Sequence, residues 1–253
     1  MGIEVETRDN GLCINTLSDA DRRNPIGHDM RVALVAALSQ AESDDAVKAV
    51  VLTGAGGHFS AGGDIRDQRD RSISEHRDRF AVIRDLVLRM VRFSKPLVAA
   101  VEGWAAGGGF ALALACPTIV ASGEARFVAS FTKIGLIPDM GLLSTLPARI
   151  GPARTRRLLL TNRVVKADEA LALGVVDELA EAGTALELAE RIALEEAEGA
   201  ILPRHFIIDW FARDVAEALD YEQSLQPMLL NSADAAEGRA AFAEKRPPRF
   251  RGA

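Results

Sequence analysis

The stretch Pro96-Leu97-Val98-Ala99-Ala100-Val101-Glu102-Gly103-Trp104-Ala105-Ala106-Gly107-Gly108-Gly109-Phe110-Ala111-Leu112-Ala113-Leu114-Ala115-Cys116-Pro117 decides the reading of this chain. Leu97 to Val101 is an unbroken apolar run of strand length, and Phe110 to Ala115 has no polar side chain and reads as a buried helix. Between them lie the consecutive glycines Gly107, Gly108 and Gly109. Such a run is entropically unfavourable, and the usual return is close backbone approach or dihedrals closed to other residues. At a helix start the backbone N–H groups point outward and the dipole favours negative charge, which is the raw material of an oxyanion hole. A plain packing device, letting helix lie tight on strand, is the other reading, and this stretch alone leaves both open. It is not a phosphate loop, because Phe110 follows the glycines where Gly-Lys-Ser/Thr is required. Nor does the spacing from Gly103 to Gly107 fit the dinucleotide fingerprint.

Composition narrows the function classes. In 253 residues, 48% are hydrophobic and 26% charged, which suits a globular chain with a sizeable core. The net charge is -6 and no basic block precedes the extreme C-terminus, which argues against nucleic acid as a partner. No apolar run reaches the roughly 18–20 residues of a membrane span, and the N-terminus lacks a basic region followed by an apolar one. Cys13 and Cys116 stand far apart among apolar neighbours and read as reduced thiols of a cytoplasmic protein. His28, His58, His76 and His205 are scattered, so no metal site is expected.

Outward from the central stretch, Ile3–Val5 and Leu12–Ile14 read as a hairpin turned at Asp9-Asn10-Gly11. Met30, Leu34, Leu38 and Ala41 recur at helical spacing, and Val47 to Leu52 is a strand running into the glycine-rich turn Thr53 to Asp64. Asp64 reads first as a helix N-cap and second as a catalytic group. The charged run from Arg66 to Arg79 reads as surface, and helical periodicity resumes at Phe80. Ile119–Ala121 is a strand, Leu142–Ile150 and Pro152–Leu160 are helical, and Ala167–Leu173 is a helix stopped by Gly174 and followed by a Val175-Val176 strand. The recurrence of strand, glycine turn, then helix or second strand suggests stacked ββα-like turns, a loose solenoid. The last quarter is helical, with a wide aromatic stripe through Phe206, Ile207, Trp210, Phe211, Val215, Ala218 and Leu219 that suits a subunit interface.

These residues resemble the enoyl-CoA hydratase/isomerase family, the crotonases. The resemblance rests on Phe59-Ser60-Ala61-Gly62-Gly63-Asp64-Ile65, on Val101 to Phe110, on Lys133 to Gly141, on Ala167 to Val176, and on Phe242 to Pro248. Each motif alone is weak, but together they run in family order over nearly the whole chain. The resemblance implies an α/β fold: a crotonase-like spiral of ββα turns over 1–195, followed by a C-terminal helical trimerisation region over 196–253. It implies a homotrimer or dimer of trimers, an acyl-CoA thioester substrate, and no cofactor beyond the coenzyme A carried by that substrate. The N–H groups of Gly63 and Gly108 would form the oxyanion hole. Arg23, Ala61, Asp64, Ile65, Phe131, Phe242 and Lys245 would contact substrate or CoA, although Lys245 reads equally as an ordinary surface lysine.

The departures from the family pattern point to the chemistry. Hydratases of the family carry two glutamates that activate water, and the matching positions here hold Ala111 and Phe131. Asp139, after Pro138, occupies the place where isomerase members carry a lone Asp or Glu. One carboxylate suits a 1,3-proton shift, and an apolar pocket would strengthen it as a base. The expectation is therefore an enoyl-CoA isomerase of fatty acid metabolism with Asp139 as acid and base. The alternatives are a hydratase or thioester hydrolase in which Asp139 activates water, a non-catalytic acyl-CoA-binding member, and an Asp139 that merely caps the helix beginning near Met140. Dehalogenases of the family also place an Asp there, but with a Trp where this chain has Phe131.

Overall fold

The computed structural model describes residues 2–64 and 71–252, so Ile65 lies outside the described residues. β1 (Gly2–Thr7) and β2 (Leu12–Ser18) pair antiparallel, and Asn10 Oδ1 closes their turn by accepting the Leu12 N–H at 3.1 Å. α1 (His28–Ser43), β3 (Ala49–Gly54) and α2 (Ile73–Val91) follow. The central stretch becomes β4 (Leu97–Val101), β5 (Trp104–Ala106) and α3 (Gly108–Leu114). Next come β6 (Thr118–Ser122), β7 (Arg126–Val128), α4 (Leu142–Ile150), α5 (Pro152–Thr161), β8 (Val165–Lys166), α6 (Ala167–Leu173) and β9 (Glu178–Ala180). α7 (Ala185–Ala197), α8 (Ile201–Phe211), α9 (Arg213–Leu230) and α10 (Ala233–Ala243) complete the chain.

The larger sheet has the order β1-β2-β3-β4-β6-β9, parallel from β2 onward, and β5, β7 and β8 form a smaller sheet. From β4 to β9 the chain passes repeatedly between the two sheets, which is the spiral of stacked turns expected from the sequence. The unbroken apolar runs have a direct cause. Val50, Leu52, Ala99 and Val101 face the main core with α1 and α2, while Ala49, Val51, Val98 and Ala100 face a second apolar layer under Ala189, Ile192 and Ala193 of α7. A parallel sheet covered on both faces has no polar face to alternate with.

Three expectations need correction. Val175 and Val176 are not a strand: both are buried in the turn after α6, where their N–H groups close on Ala170 O, and the strand begins at Glu178. Asp64 is not the cap of α2, whose N-cap is Ser72 in a reciprocal capping box with Glu75. α2 therefore starts at Ile73, so the stretch Ile73 to Arg79 is helical and, apart from buried His76, lies on the surface as read. Asp64 instead pairs with Arg22 at 2.9 Å. The late aromatic stripe is divided: Val215 and Leu219 of α9 are buried, whereas no residue of α8 is buried and Phe206, Trp210 and Phe211 stay exposed. Cys13 and Cys116 are both free and buried.

Candidate active site

Two glycine-rich turns meet because the chain zips them together. Ala61 N–H donates to Arg23 O, Ile26 N–H to Gly62 O, Ser60 N–H to Trp104 O and Ala106 N–H to Ser60 O, all within 2.6–2.9 Å. Ser60 Oγ, fully buried, donates to Asn24 O at 2.7 Å, and Asn24 Nδ2 donates to Ala55 O and His58 O. This lacing sets the turn at Ala61-Gly62-Gly63 against β5 and the start of α3. A Cβ on Gly62, whose φ is +96°, would stand 2.6 Å from Ala106 O and 3.4 Å from Gly108 N. A Cβ on Gly108 would stand 3.7 Å from Gly63 N. The N–H groups of Gly63 and Gly108 are thus neighbours, and among the described residues no acceptor takes either. Two unpaired N–H donors at a cavity wall can receive a developing oxyanion.

The packing reading of the glycines also holds, at Gly109. A Cβ there would fall 2.6 Å from Ser60 Cβ and 2.8 Å from Ser60 O. Gly109→Ala will lower the unfolding free energy by about 1–3 kcal/mol, the usual range for overpacking a rigid wall, read as a lower denaturant midpoint at unchanged slope.

A cavity of about 480 Å³ opens beside these donors. Gly63, Gly108, Ala61, Phe131, Met140 and Asp139 line it, and the exposed residues Arg23, Lys133 and Phe242 also border it. Among the described residues Asp139 is the sole carboxylate of that lining. A smaller cavity of about 60 Å³ shares Asp139, Arg31 and Leu136 and is closed by Phe80 and Ile83 of α2 and Leu230 of α9. Asp139 therefore stands where the two spaces meet. Of the remaining residues singled out by sequence, Asp64 borders only the smaller cavity. Lys245 is exposed just beyond α10 and borders neither.

Asp139 does not cap a helix. α4 begins at Leu142 with Gly141 as N-cap, and only the backbone carbonyl of Asp139 accepts the Leu142 N–H. Its side chain turns to α9, where Gln226 Nε2 donates to Asp139 Oδ2 at 3.2 Å. Burial pushes the Asp139 carboxyl up to about 6, against the opposing pull of the Arg31 charge and the Gln226 hydrogen bond. Met140 follows with φ +57°, an uncommon conformation for a side chain of its size, and Gly141 with φ +76°.

The sequence reading did not single out Glu222. It lies on α9, 1% exposed, and both its carboxyl oxygens accept from Gly141 N–H at 3.0–3.1 Å. Burial first and the nearby Asp139 second push it up to about 8. Among the described residues no group of three or more His, Cys, Asp or Glu side chains could hold a metal ion.

With this geometry established, comparison with known proteins is informative. The sequence pattern of the enoyl-CoA hydratase/isomerase family matches residues 7–253. A Thermus thermophilus protein provisionally named an enoyl-CoA hydratase is 36% identical over 255 residues, covering 97% of this chain and 100% of that protein. An Escherichia coli protein named 1,2-epoxyphenylacetyl-CoA isomerase is 35% identical over 254 residues, covering 96% of this chain and 95% of that one. Among solved structures, an enoyl-CoA hydratase from Mycobacterium avium subsp. paratuberculosis superposes with a TM-score of 0.89 at 30% identity and 99% coverage of each chain.

Proposed function

We propose, from the premise that the chain belongs to the enoyl-CoA hydratase/isomerase family, that it is an enoyl-CoA isomerase working through a single carboxylate. The observation that carries this reading is that, among the described residues, Asp139 is the one carboxylate bordering the cavity beside the Gly63 and Gly108 N–H groups. Ionised Asp139 takes a proton from C2 of a trans-3-enoyl thioester. The electron pair moves toward the thioester carbonyl, whose oxygen becomes the negative end of a dienolate. The two glycine N–H groups stabilise that oxygen, one such donor contributing roughly 3–4 kcal/mol in a water-excluded site. Asp139 then returns the same proton to C4, leaving the double bond between C2 and C3 with nothing gained or lost. The buried Ala111 and Phe131 stand where water-activating carboxylates would be needed for hydration. The smaller cavity between α2 and α9 suits the distal end of the acyl group, and Phe242 with Arg23 suits the CoA end.

The test is a panel of trans-2- and trans-3-enoyl-CoAs read for isomer, hydrated product and free thiol. Isomer without hydrated product supports the reading. Hydrated product from a trans-2-enoyl-CoA, or free thiol, reassigns Asp139 to water activation, and binding without turnover makes the chain a non-catalytic member.

Assembly belongs to the same proposal. α8 carries Phe206, Trp210 and Phe211 at 67%, 62% and 78% exposure, and none packs back on its own subunit's core. Large apolar side chains grouped on one short helix suit contact with another copy in a trimer or dimer of trimers. Sedimentation at micromolar concentration should show an oligomer, and a stable monomer would refute it. Among the described residues no helix is long and apolar enough to cross a membrane, and a cytoplasmic site of action fits the two buried free thiols.

A further inference from the structure

α9 reaches the turn that carries Asp139 with two side chains one helical turn apart. Gln226, fully buried, accepts from Ile137 N–H at 3.3 Å and donates to Ile137 O at 2.9 Å and to Asp139 Oδ2 at 3.2 Å. Glu222, also buried, accepts from Gly141 N–H. Both ends of the segment 137–141 and the carboxylate at its centre are thus held by one helix. The turn would not hold itself this way, since Met140 and Gly141 are both left-handed. A buried carboxylate placed beside another is also an unfavourable choice for mere packing, because an apolar side chain of that size would fill the same space without a desolvated charge.

We infer that Glu222 and Gln226 are positioning residues for Asp139: Gln226 fixes the direction of its carboxylate, and Glu222 anchors the turn that carries it. This rests on the reading of Asp139 as acid and base. Burial first and the charge on Asp139 second hold the Glu222 proton in place over the range in which Asp139 must be ionised to act. Among the described residues the surrounding ionisable groups are Arg31 on α1, Asp64 at the end of the glycine-rich turn, Arg71 just before α2, His76 and Arg79 on α2, and Arg239 on α10, with burial favouring neutral His76. Asp220 on α9 is engaged by Arg84 of α2 at 2.9 Å. Arg31 favours ionised Asp139, and Glu222 opposes a second charge. α9 is then part of the apparatus that sets the base, in addition to any part the C-terminal helices take in assembly.

The experiment follows the Asp139 carboxyl directly, by carbon-13 resonance of labelled aspartate, assigned with Asp139→Asn and titrated in wild type, Gln226→Leu and Glu222→Gln. In wild type the resonance should show a main step at about 6 and a smaller one at about 8, as Glu222 ionises beside it. Gln226→Leu removes a hydrogen bond to the ionised form, so the main step should move upward. Its kcat on a trans-3-enoyl-CoA should fall roughly 10-fold or more, the loss expected for a hydrogen bond to a charged group, with KM little changed. Glu222→Gln keeps an acceptor for Gly141 N–H, so the main step should stay and the smaller one vanish. An unmoved main step in Gln226→Leu, or a smaller step that survives Glu222→Gln, overturns the inference. Should Gln226→Leu fail to fold, the Glu222→Gln titration decides alone. A wild-type protein that titrates as described but does not isomerise would instead remove the isomerase reading and leave the positioning intact.

Discussion

Asp139→Asn will lower turnover of a trans-3-enoyl-CoA by roughly 10²–10⁴-fold, the range for loss of a general acid–base group. Acyl-CoA affinity will change little, because the Gly63 and Gly108 N–H groups and the rest of the cavity wall remain. Exchange of substrate α-protons into deuterated water will fall in parallel, since the same carboxylate forms the dienolate. Stability will not fall, because the side chain caps no helix and Asn still accepts from Gln226 Nε2. As the folded chain holds the Asp139 carboxyl up at about 6, the variant should gain on wild type as pH rises toward that value. In wild type the rate should rise with pH through about 6, where the buried Asp139 gives up its proton, and that rise should be missing from the residual activity of the variant. A variant with near-normal isomerisation and exchange would remove Asp139 as the base and return the chain to the water-activating or non-catalytic reading.

Glu222→Gln will stabilise the fold above acid pH, increasingly so as pH rises. The folded chain holds the Glu222 carboxyl at about 8 against an ordinary value of 4.5. A group whose folded value is raised favours folding fully below its unfolded value. That contribution is lost as pH climbs from there to the folded value. At acid pH the variant should therefore trail slightly, by the cost of the amide Gln must bury, and it should overtake wild type as pH climbs between 4.5 and about 8. Above that the variant should lead by about 2–4 kcal/mol, taking 1.4 kcal/mol per pH unit and allowing for the amide Gln must bury. Denaturant titrations at several pH values read this directly, and a constant gap across pH would show that Glu222 does not ionise as described. A protein that keeps a carboxylate at such a cost to stability fits a trade of stability for function.

Much of this was legible beforehand, and the reason lies in distance along the chain. The sheet was readable because each buried strand is a contiguous apolar run, as at Val47 to Leu52 and Leu97 to Val101. The proposed oxyanion donors, Gly63 and Gly108, were readable as candidates because they lie in local glycine runs. Val175-Val176 misled because burial and strand pairing were taken as one property, whereas here a turn buries both valines. Glu222 and Gln226 escaped because their role is set by a partner more than 80 residues away. A signal existed even so: Val215, Leu219, Glu222 and Gln226 follow the four-three-four spacing of one buried helical face. Two polar residues continuing an apolar stripe must find partners inside the molecule. Lys245 shows the converse, since its motif was readable but its exposed place beyond α10 leaves it off both cavities of the single chain.

The grip of α9 on the segment 137–141 bears on the birth of the protein. A chain leaves the ribosome N-terminus first, so Gly63 and Gly108 emerge well before Glu222 and Gln226. A nascent chain ending before α9 already carries the N–H groups of Gly63 and Gly108 and Asp139, yet it lacks the Gln226 hydrogen bond to that carboxylate. On the proposed mechanism, a chain that stops short of Gln226 should therefore turn substrate over more slowly than the complete one.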